Sequence, residues 1–506
     1  MAVDMNETEA KYEAPAGRAL PDLDGLPQVA GTSGPDEEQL EAEYYDTGDL
    51  RLIRAGITLR RRRGGHDAGW HLKLPVGPDT RREIRLPLGR AGSRVPAELA
   101  GLVRVHTRGE PLQPIARVTT TRQRQILLDR SGESLAEVAA DDVHAQLLDG
   151  TADESHWHEV EVELTGGDRR LLKAADARLR RDGLRPAGES AKLERALGDR
   201  LPAPAGQRSL TPSSPAGQVV LAYLRAHTEK LTSLDPMVRR DEPDSVHQMR
   251  VATRRLRSTL RSFGKIIRRN DTQRLAGELK WLGDVLGEAR DAEVLAGRLE
   301  AYLRALPAEL VVGPVQARVQ GHFAPLRASA RDAVLAALGS ERYFSLLDEL
   351  DRLIAEPPLT RRGARPAADV LPSAVRRCYR QTSRRMRRAQ RAPAGQPSDA
   401  ALHQARKAAK RTRYAGETVT PALGAEARRF TKRVKRVQSV LGDHQDTVIA
   451  RPVERELGMS AHLAGENAFS YGVLYERDVC DSGRLQAQAR QTWKQARRAR
   501  YRRWMG

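Results

Sequence analysis

Aromatic side chains are scarce in this chain of 506 residues, where Phe, Trp and Tyr together make up 4%. That content argues against a nucleic-acid-binding protein that stacks bases on aromatic rings. Two cysteines, Cys378 and Cys480, are too few for a disulfide framework and fit a reducing compartment, so we expect a cytoplasmic protein. No run of about 18 apolar residues occurs, and no transmembrane helix is expected. The acidic amino terminus lacks an apolar core and is not expected to be a secretory signal.

Positive charge is abundant but unevenly distributed. The chain carries 86 Lys and Arg against 66 Asp and Glu, a formal net charge of +20. Residues 1–200 hold 30 basic and 35 acidic side chains, whereas residues 201–506 hold 56 and 31. The second half therefore predicts an anionic partner, because a positive field concentrates polyanions near the surface. Charge alone leaves nucleic acid, an anionic membrane surface and inorganic polyphosphate as candidates.

Shifts in composition predict the domain boundaries. The segment LPAPAGQRSLTPSSPA at 201–216 is rich in Pro, Ser, Ala and Gly and is interpreted as a linker. It separates a first domain, 1–200, from a second domain, 217–506. A break at 391–399 divides the second domain into repeats at about 217–390 and 400–506. Residues 13–40, acidic and rich in Gly and Pro, are expected to form a loop or an insertion.

The first half carries the alternation of apolar and charged residues that is typical of β-strands. The segments are short and separated by turn residues, and they include GITLRRR at 56–62, WHLKLP at 70–75, REIRLPL at 82–88 and HEVEVEL at 158–164. Side chains two positions apart share one face of a strand. The pattern therefore predicts an antiparallel sheet or barrel.

The charged faces of these strands sort by sign. The acidic faces hold Glu7, Glu9, Glu159, Glu161 and Glu163, and the basic faces hold Arg60, Arg62, Lys73, Arg122 and Arg124. A solvated polar face would explain any single strand, but glutamates that share one face repel each other unless cations neutralise them. A sheet curled into a tunnel would place carboxylates suited to Mg²⁺ or Mn²⁺ beside cations suited to a multiply charged anion.

The segment Glu7-Thr8-Glu9-Ala10-Lys11 resembles the ExExK signature of the CYTH domain, the triphosphate tunnel metalloenzyme family. YYDTGDLRLIRAGITLRRR at 44–62 and the closing ESAKLERAL at 189–197 resemble further segments of that family, in the same order. The resemblance covers residues 3–200 and implies an eight-stranded antiparallel β tunnel. It also implies activity on triphosphates, among them inorganic triphosphate, thiamine triphosphate and ATP.

The resemblance implies two sets of site residues in the tunnel. The implied metal ligands are Glu7, Glu9, Glu161 and Glu163, with Glu137 and Asp141 as further candidates and Glu159 as a weaker one. The implied catalytic, phosphate-binding set is Lys11, Arg60, Arg62, Lys73, Arg85, Arg122, Arg124 and Lys192, with Glu83 as an acid paired to Arg85. The histidines are instead interpreted as surface or tunnel-rim residues: His66, His71, His156 and His158.

The implied chemistry is metal-assisted hydrolysis of a phosphoanhydride, with Mg²⁺ or Mn²⁺ as the cofactor. Arg and Lys would neutralise the phosphate oxygens and the leaving pyrophosphate. The phosphate-cradling motif GxxxxGK[ST] is absent from the sequence, so a P-loop is excluded.

The second half predicts an all-α domain built from two copies of one unit. Apolar residues recur at intervals of three and four from residue 217 onward. HQMRVATRRLR at 247–257 aligns with HQARKAAKRTR at 403–413, an offset of 156 residues. VLGEARDAEV at 285–294 aligns with VLGDHQDTVI at 440–449, an offset of 155. Two blocks with nearly equal offsets indicate a tandem repeat.

Each copy places a histidine at the head of a basic helix face. His247, Arg250, Arg254 and Arg257 follow the spacing i, i+3, i+7 and i+10, and the second copy repeats it from His403. Solvated Arg-rich faces are the alternative interpretation, but carboxylate partners are scarce, since residues 401–450 hold 11 Lys and Arg against four Asp and Glu. A polyanion bound along the stripe would offset the repulsion between its like charges.

These features resemble the CHAD domain, an all-α domain named for its histidines and often fused behind a CYTH domain. The resemblance implies two four-helix bundles with a basic groove for inorganic polyphosphate between them. It also implies polyphosphate-binding residues in both copies: His247, Arg250, Arg254, Arg257, Lys280 and Arg290 in the first, and His403, Arg406, Lys410, Arg413, Lys432 and Lys435 in the second. Asp291 and Asp446 are expected to orient neighbouring arginines.

The sequence therefore favours a cytoplasmic, metal-dependent triphosphatase or polyphosphatase with a polyphosphate-binding domain. The first alternative is a non-catalytic polyphosphate-binding protein associated with polyphosphate granules. Another is a nucleotide or thiamine triphosphatase. A nucleic-acid-binding protein ranks below these, because no DNA- or RNA-binding motif is recognisable.

Overall fold

The computed structural model describes residues 3–17, 19–77, 80–89, 94–148, 150, 153–187, 192–201 and 209–506. The chain forms two compact units, residues 1–206 and 207–506, and each is described by itself. Residues 202–208 of the predicted linker and 189–191 of the ESAKLERAL segment lie outside the described residues.

The first unit is built on an antiparallel sheet. Its strands are β1 (Val3–Glu7), β2 (Glu9–Ala14), β3 (Gly31–Asp46), β4 (Thr58–Arg63), β5 (Gly69–Gly77), β6 (Thr80–Leu86), β7 (Gln113–Leu128), β8 (Ser134–Leu147), β9 (Glu154–Leu164) and β10 (Arg185–Pro186). Its helices are α1 (Arg51–Arg54), α2 (Ala97–Thr107), α3 (Arg169–Arg181) and α4 (Lys192–Leu197).

The amino-terminal strand closes this sheet into a tunnel. The strand order is β1-β6-β5-β4-β3-β7-β8-β9-β2-β10, and Thr8 alone separates β1 from β2 in the chain. One interrupted strand thus pairs with β6 through its first half and with β9 through its second half. With β1 and β2 counted as one strand, the described residues form the predicted eight-stranded antiparallel tunnel, to which the two-residue β10 adds on the edge of β2.

Alternation along several strands, β5, β6 and β9 among them, separates charged side chains that face the interior from apolar side chains on the exterior. In β9, Val160 and Val162 are fully buried on the outer face, where they belong to one apolar cluster with Leu171 and Leu179 of α3. Burial of each such aliphatic side chain stabilises the folded state by about 1.5–3 kcal/mol. Glu161, between the two valines, therefore points into the tunnel.

The expectation of a loop over residues 13–40 is wrong for its second part. β3 already begins at Gly31, and its first ten residues pair with β7 despite their high content of charge. The physical reason is that this stretch pairs along one side with a long strand, where Asp36 and Glu38 lie opposite Arg124 and Arg122.

The second unit is helical throughout its main elements. The helices are α5 (Ala216–Arg239), α6 (Ser245–Ser262), α7 (Gln273–Ala305), α8 (Val315–Leu338), α9 (Glu341–Ala355), α10 (Ala367–Arg391), α11 (Gln396–Leu463) and α12 (Phe469–Ala496). α11 is interrupted at Gly424, whose φ of 66° lies in the left-handed region that glycine adopts without strain. Among the described helices, none combines the length and the hydropathy that a membrane span requires.

The interruption of α11 makes the repeat visible in the fold. The block that begins at His403 lies before Gly424, and the block that begins at Val440 lies after it. The two parts of α11 therefore correspond to α6 and α7 of the first copy, which carry the matching blocks. A buried apolar cluster joins the copies, because Leu299 of α7 packs in one core with Leu457 of α11.

Candidate functional site

The tunnel encloses a cavity of about 210 Å³ with a densely charged wall. Most of the predicted tunnel residues line this cavity: Glu7, Glu9, Lys11, Arg60, Arg62, Lys73, Arg85, Arg122, Glu137, Glu161, Glu163 and Lys192. Three further predicted residues, Glu83, Asp141 and Glu159, are buried and form ion pairs with the lining side chains. The strand periodicity thus brings acids and bases from distant parts of the chain to one space.

One group of carboxylates in the wall already has cationic partners. Lys192 Nζ lies 2.8 Å from Asp141 Oδ2, 2.5 Å from Glu159 Oε1 and 2.8 Å from Glu161 Oε1. Arg122 donates to both Asp141 oxygens, at 2.8 and 2.6 Å, and to Glu161 Oε2 at 2.7 Å. Burial opposes ionisation of Glu161, but Lys11, Lys192 and Arg122 hold its pKa well below the usual range. Asp141 and Glu161 therefore stay charged, and the ion pairs of this group fix the cations that surround it.

A second group of carboxylates, Glu7, Glu9 and Glu163, is less completely compensated. Lys11 Nζ lies 3.3 Å from Glu9 Oε1 and, with Lys73, holds the pKa of Glu9 below its usual value although burial opposes ionisation. Glu9 and Glu163 are directly opposite each other in the pairing of β2 with β9. Burial and the neighbouring charges of Glu7 and Glu9 raise the pKa of Glu163 to about 8. Lys73 Nζ lies 2.5 Å from Glu7 Oε1, but the buried Glu7 Oε2 accepts no hydrogen bond from any described residue. Carboxylates on neighbouring strands that line one cavity supply the oxygen donors that a hard divalent cation such as Mg²⁺ or Mn²⁺ prefers.

Glu83 is a buried carboxylate that pairs with several residues of the basic wall. Its side chain is fully buried and accepts hydrogen bonds from His71 Nδ1 at 2.9 Å and from Arg85 Nε at 2.6 Å. Lys73 and Arg60 each approach it to 4.0 Å. Although burial opposes ionisation, the His71 hydrogen bond and these cations keep the pKa of Glu83 far below its usual value. The interpretation of His71 as a surface or rim residue is wrong, since it shares the inner face with Lys73 and is buried against Glu83.

Glu137 and Arg124 form the other end of the acid–base network. Arg124 Nη1 lies 3.3 Å from Glu137 Oε2 and 3.3 Å from His66 Nδ1, and Arg122 Nη1 lies 3.6 Å from Glu137 Oε1. His66 is exposed and borders the cavity, in keeping with a place at its rim. Both arginines therefore hold Glu137 in an ion-paired state.

Several cavity residues were missed in the sequence, among them Arg81, Tyr44 and Asp67. Arg81 lines the cavity two positions before Glu83, and its spacing to Arg85 is a signal that the strand pattern offered. Tyr44 presents its hydroxyl 3.4 Å from Arg60 Nη1. Asp67 accepts a 2.6 Å hydrogen bond from Arg62 Nη2 and lies in a turn, so no periodicity could have identified it.

In the second unit, the two histidine-headed stripes meet. The charges of Arg254, Arg406 and Arg250, after the larger effect of burial, lower the pKa of Lys410 to about 6. Arg250 and Arg254 belong to α6, whereas Arg406 and Lys410 belong to α11. Four basic side chains from both copies thus lie close enough to influence one another's charge.

The two copies hold their first arginine in the same way. Arg250 Nη1 donates to Asp291 Oδ1 at 2.9 Å, and Arg406 Nη2 lies 4.0 Å from Asp446 Oδ1. The glycine of each VLG block leaves room for the guanidinium. A Cβ on Gly287 would approach Arg250 Nη2 to 3.3 Å, and one on Gly442 would lie 3.7 Å from Arg406 Nη2.

The two histidines, which occupy equivalent positions in the repeated sequence blocks, also have similar surroundings in the fold. His403 Nδ1 hydrogen bonds Gln445 Oε1, and the position equivalent to Gln445 in the first copy is Arg290. Burial and the charge of Arg290 lower the pKa of His247. Burial also lowers the pKa of His403, against the hydrogen bond with Gln445. Both histidines therefore lie beside the basic cluster, in equivalent places.

The remaining predicted residues of this unit have partners at its periphery or are exposed. Arg413 donates to Glu417 at 2.7 Å and to Gln438 at 2.8 Å, while Arg290 donates to Glu293 at 2.8 Å. Burial and the nearby charge of Arg261 lower the pKa of Arg257, whereas the charge of Asp284 raises it. The exposed Lys280 forms an ion pair with the same Asp284. Lys432 and Lys435 are exposed on α11.

Tyr414 was missed as a member of this basic surface. Its hydroxyl accepts a 2.8 Å hydrogen bond from Arg254 Nε, and the guanidiniums of Arg255 and Arg413 lie 5.7 Å from its ring centroid. Arg254 and Tyr414 come from different copies, so the pair fixes the two stripes relative to each other. In the sequence, the position of Tyr414 directly after Arg413 does not distinguish it from an aromatic residue of the core.

Comparisons with known proteins assign a family to each unit. The model of the CYTH domain matches residues 5–192, and the model of the CHAD domain matches residues 222–453. Two uncharacterized proteins from two strains of Mycobacterium tuberculosis are each 40% identical to this chain over 512 residues, which covers 98% of it and 98% of each relative.

Solved structures provide two further comparisons. PptA from Streptomyces chartreusis is 22% identical, and the match covers 56% of this chain and 100% of PptA with a TM-score of 0.48. The CHAD domain from the plant Ricinus communis is 25% identical, and the match covers 61% of this chain and 97% of that domain with a TM-score of 0.42.

Proposed function

Because the chain belongs to the CYTH–CHAD proteins, we propose that its tunnel hydrolyses inorganic triphosphate or a related triphosphate or polyphosphate, with Mg²⁺ or Mn²⁺ as the cofactor. CYTH domains bind triphosphates, depend on a metal and include triphosphatases and cyclases, and CHAD domains bind polyphosphate. Hydrolysis by this chain, its substrate and the residues that carry out the reaction are proposed in addition to these family properties.

One observation carries the proposal. The same small cavity is lined by a basic wall, with Lys11, Arg60 and Arg122 among its members, and by carboxylates with an unsatisfied buried oxygen at Glu7. An anion of several negative charges and a divalent cation would each neutralise one part of this wall. A triphosphate bound to its cation supplies both at once.

The chain's own residues have separable roles in this reaction. Glu7, Glu9 and Glu163 would hold the cation, which when bound orients the attacking water and polarises the phosphate. The cavity cations Lys11, Arg60, Arg62, Lys73, Arg85, Arg122 and Lys192 would neutralise the nonbridging oxygens as the P–O bond to the leaving phosphate breaks. Arg124 at the rim would meet the end of the phosphate chain. Glu83 and Glu159 position these cations through their ion pairs. The remaining predicted metal ligands, Glu137, Asp141 and Glu161, also pair with these cations and would serve as ligands only where the cation displaces Arg122 or Lys192.

Phosphate release tests the proposal. The full chain with Mg²⁺ or Mn²⁺ should release phosphate from inorganic triphosphate, and Glu7→Gln/Glu9→Gln should lose at least about 100-fold in rate, in line with other losses of transition-state charge stabilisation. The same assay with ATP and thiamine triphosphate distinguishes a nucleotide or thiamine triphosphatase. An absence of release from all these substrates, and from tetraphosphate, would favour the non-catalytic polyphosphate-binding protein.

For the second unit, we propose that the cluster of Arg250, Arg254, Arg406 and Lys410 forms the centre of a polyphosphate groove. This proposal is supported by the basic side chains that both copies contribute to one cluster. Two nearby carboxylates, Asp291 and Asp446, each pair with a single arginine of the cluster. The histidines His247 and His403 would flank the centre. The peripheral residues Arg257, Lys280, Arg290, Arg413, Lys432 and Lys435 would then contact more distant parts of the polymer. Granule association is an extension of this proposal that localisation in cells would test.

Competition measures the preference of this groove. Binding of long-chain polyphosphate to the Glu7→Gln/Glu9→Gln chain should weaken with added salt, because exposed charges are screened. Duplex DNA at equal phosphate concentration should fail to displace the polymer. Displacement by DNA would instead favour the nucleic-acid interpretation.

A further inference from the structure

The outer face of the β8–β9 hairpin carries a cluster that the proposed hydrolysis does not use. His144 lies directly opposite His156 in the strand pairing, and Asp142 lies directly opposite His158. All four positions are even-numbered, whereas Asp141 and Glu159 of the tunnel wall are odd-numbered. The cluster therefore lies on the opposite side of the sheet from the cavity.

The polar atoms of this cluster converge on one carboxylate oxygen. Asp142 Oδ1 lies 2.5 Å from His156 Nε2, 3.6 Å from His144 Nε2 and 3.6 Å from His158 Nδ1. Asp142, His156 and His158 each present a ligand atom within 4.8 Å of the other two. The rings of His144 and His156 stack with centroids 4.0 Å apart, and those of His156 and His158 meet edge to face at 4.8 Å.

We propose that this cluster binds a borderline divalent metal ion, Zn²⁺ in the first instance, through Asp142, His156 and His158, with His144 as the fourth ligand. Imidazole nitrogens with one carboxylate are a donor set that suits Zn²⁺ and its neighbours in the first transition series, whereas Mg²⁺ and Mn²⁺ prefer oxygen donors. Ligand atoms around a tetrahedral Zn²⁺ are about 3.3 Å apart, as follows from bonds of about 2.0–2.1 Å.

Two features favour a metal site over a surface hydrogen-bond cluster. One carboxylate oxygen cannot satisfy three imidazoles at short distance, and two of the three stay at 3.6 Å. The strands that carry the ligands are also held rigidly, because the intervening Trp157 is buried and donates to Glu159 Oε2 at 2.7 Å. The side chains remain accessible to an ion from solvent, with His156 exposed to 47% and Asp142 to 42%.

Co²⁺ spectroscopy tests the site without reliance on activity. The full chain, with any affinity tag removed and with excess Mg²⁺ to occupy the tunnel carboxylates, should bind stoichiometric Co²⁺ and show the strong visible absorption of a four-coordinate complex. Zn²⁺ should abolish that absorption by displacement. His156→Gln/His158→Gln should lose it, while Glu7→Gln/Glu9→Gln should retain it.

The matched control is His462→Gln, which removes an exposed histidine from α11 of the other unit. Its Co²⁺ spectrum should equal that of the unchanged chain. The proposal is overturned if the absorption persists in His156→Gln/His158→Gln, if it is lost in Glu7→Gln/Glu9→Gln, or if equilibrium dialysis finds no Zn²⁺ bound to the unchanged chain. Circular dichroism of each variant establishes that the fold is retained.

Discussion

At the scale of single residues, Lys410 is a half-buried amine beside several guanidiniums. Arg250, Arg254 and Arg406 face it, and Asp446 is the carboxylate that acts on it. With a pKa of about 6, against the ordinary 10.5, Lys410 is mostly neutral at pH 7.5 in the free chain. A bound polyanion favours the charged amine and therefore raises this pKa.

The first prediction follows from this upward shift of the Lys410 pKa on binding. Between the free and the bound pKa values, binding of polyphosphate takes up a proton, so affinity should rise as the pH falls from about 8 to about 6 and level off below. Calorimetry in buffers of different ionisation enthalpy measures the uptake. Lys410→Arg keeps the charge but cannot titrate, and should show less uptake. Equal uptake in this variant would assign the proton to another group, such as His403.

The second prediction concerns two glutamates of the tunnel that differ in their partners. Glu83→Gln removes the counter-charge of Arg85, Lys73 and Arg60, and should lower the free energy of unfolding by about 3 kcal/mol, as expected when a buried ion pair loses one partner. Glu163, with a pKa of about 8, must take up a proton when the metal-free chain folds near pH 7, and Glu163→Gln removes that cost. The metal-free variant should therefore be as stable as the unchanged chain or more so. Urea denaturation compares them.

Phosphate release separates the same two variants in a different way. Glu163→Gln should lose metal-dependent activity although its stability is retained, because it removes a proposed ligand of the cation. A stable Glu83→Gln chain, or an active Glu163→Gln chain, would contradict the roles assigned here.

At the scale of elements, the VLG helices of both copies place a glycine beneath an arginine. The third prediction is that Gly287→Ala weakens polyphosphate binding about tenfold, equivalent to about 1.4 kcal/mol, because its Cβ would press on Arg250 and displace it from Asp291. Gly442→Ala should have a smaller effect, since its Cβ would meet Arg406 at ordinary contact distance.

Gly277→Ala is the control for this prediction. It lies in the same helix as Gly287, and a Cβ there would meet nothing within 4 Å. Both alanines should raise helix stability by up to about 1 kcal/mol, but Gly277→Ala alone should leave polyphosphate affinity unchanged. Equal affinities in the two variants would mean that the glycine does not position Arg250.

The strands and helices also show what sequence reasoning can reach. Period-two alternation placed Glu161, Lys73 and Arg85 on the inner face, because the rule acts within one strand. It could not identify Asp67, which reaches Arg62 from a turn, or assign β3 to the strand that begins at Gly31. Ion-pair partners such as Lys192 and Glu159, 33 positions apart, depend on closure of the tunnel, which no local pattern encodes.

At the scale of the whole molecule, the net charge of +20 divides into two different kinds of site. The first unit pairs its cations with acids inside a closed cavity, whereas the second unit concentrates cations from both copies on helices.

The fourth prediction is that the two functions are separable. Arg250→Gln/Arg254→Gln should weaken polyphosphate binding at least tenfold and leave the hydrolysis of triphosphate unchanged.

The most direct test is the initial rate of phosphate release from inorganic triphosphate at saturating Mg²⁺ or Mn²⁺, measured side by side for three full-length chains. The unchanged chain and Arg250→Gln/Arg254→Gln should have equal rates, and Glu7→Gln/Glu9→Gln should lose at least about 100-fold. An equal rate in Glu7→Gln/Glu9→Gln, or no release by the unchanged chain, would contradict the assignment of the tunnel as a metal-dependent triphosphatase site.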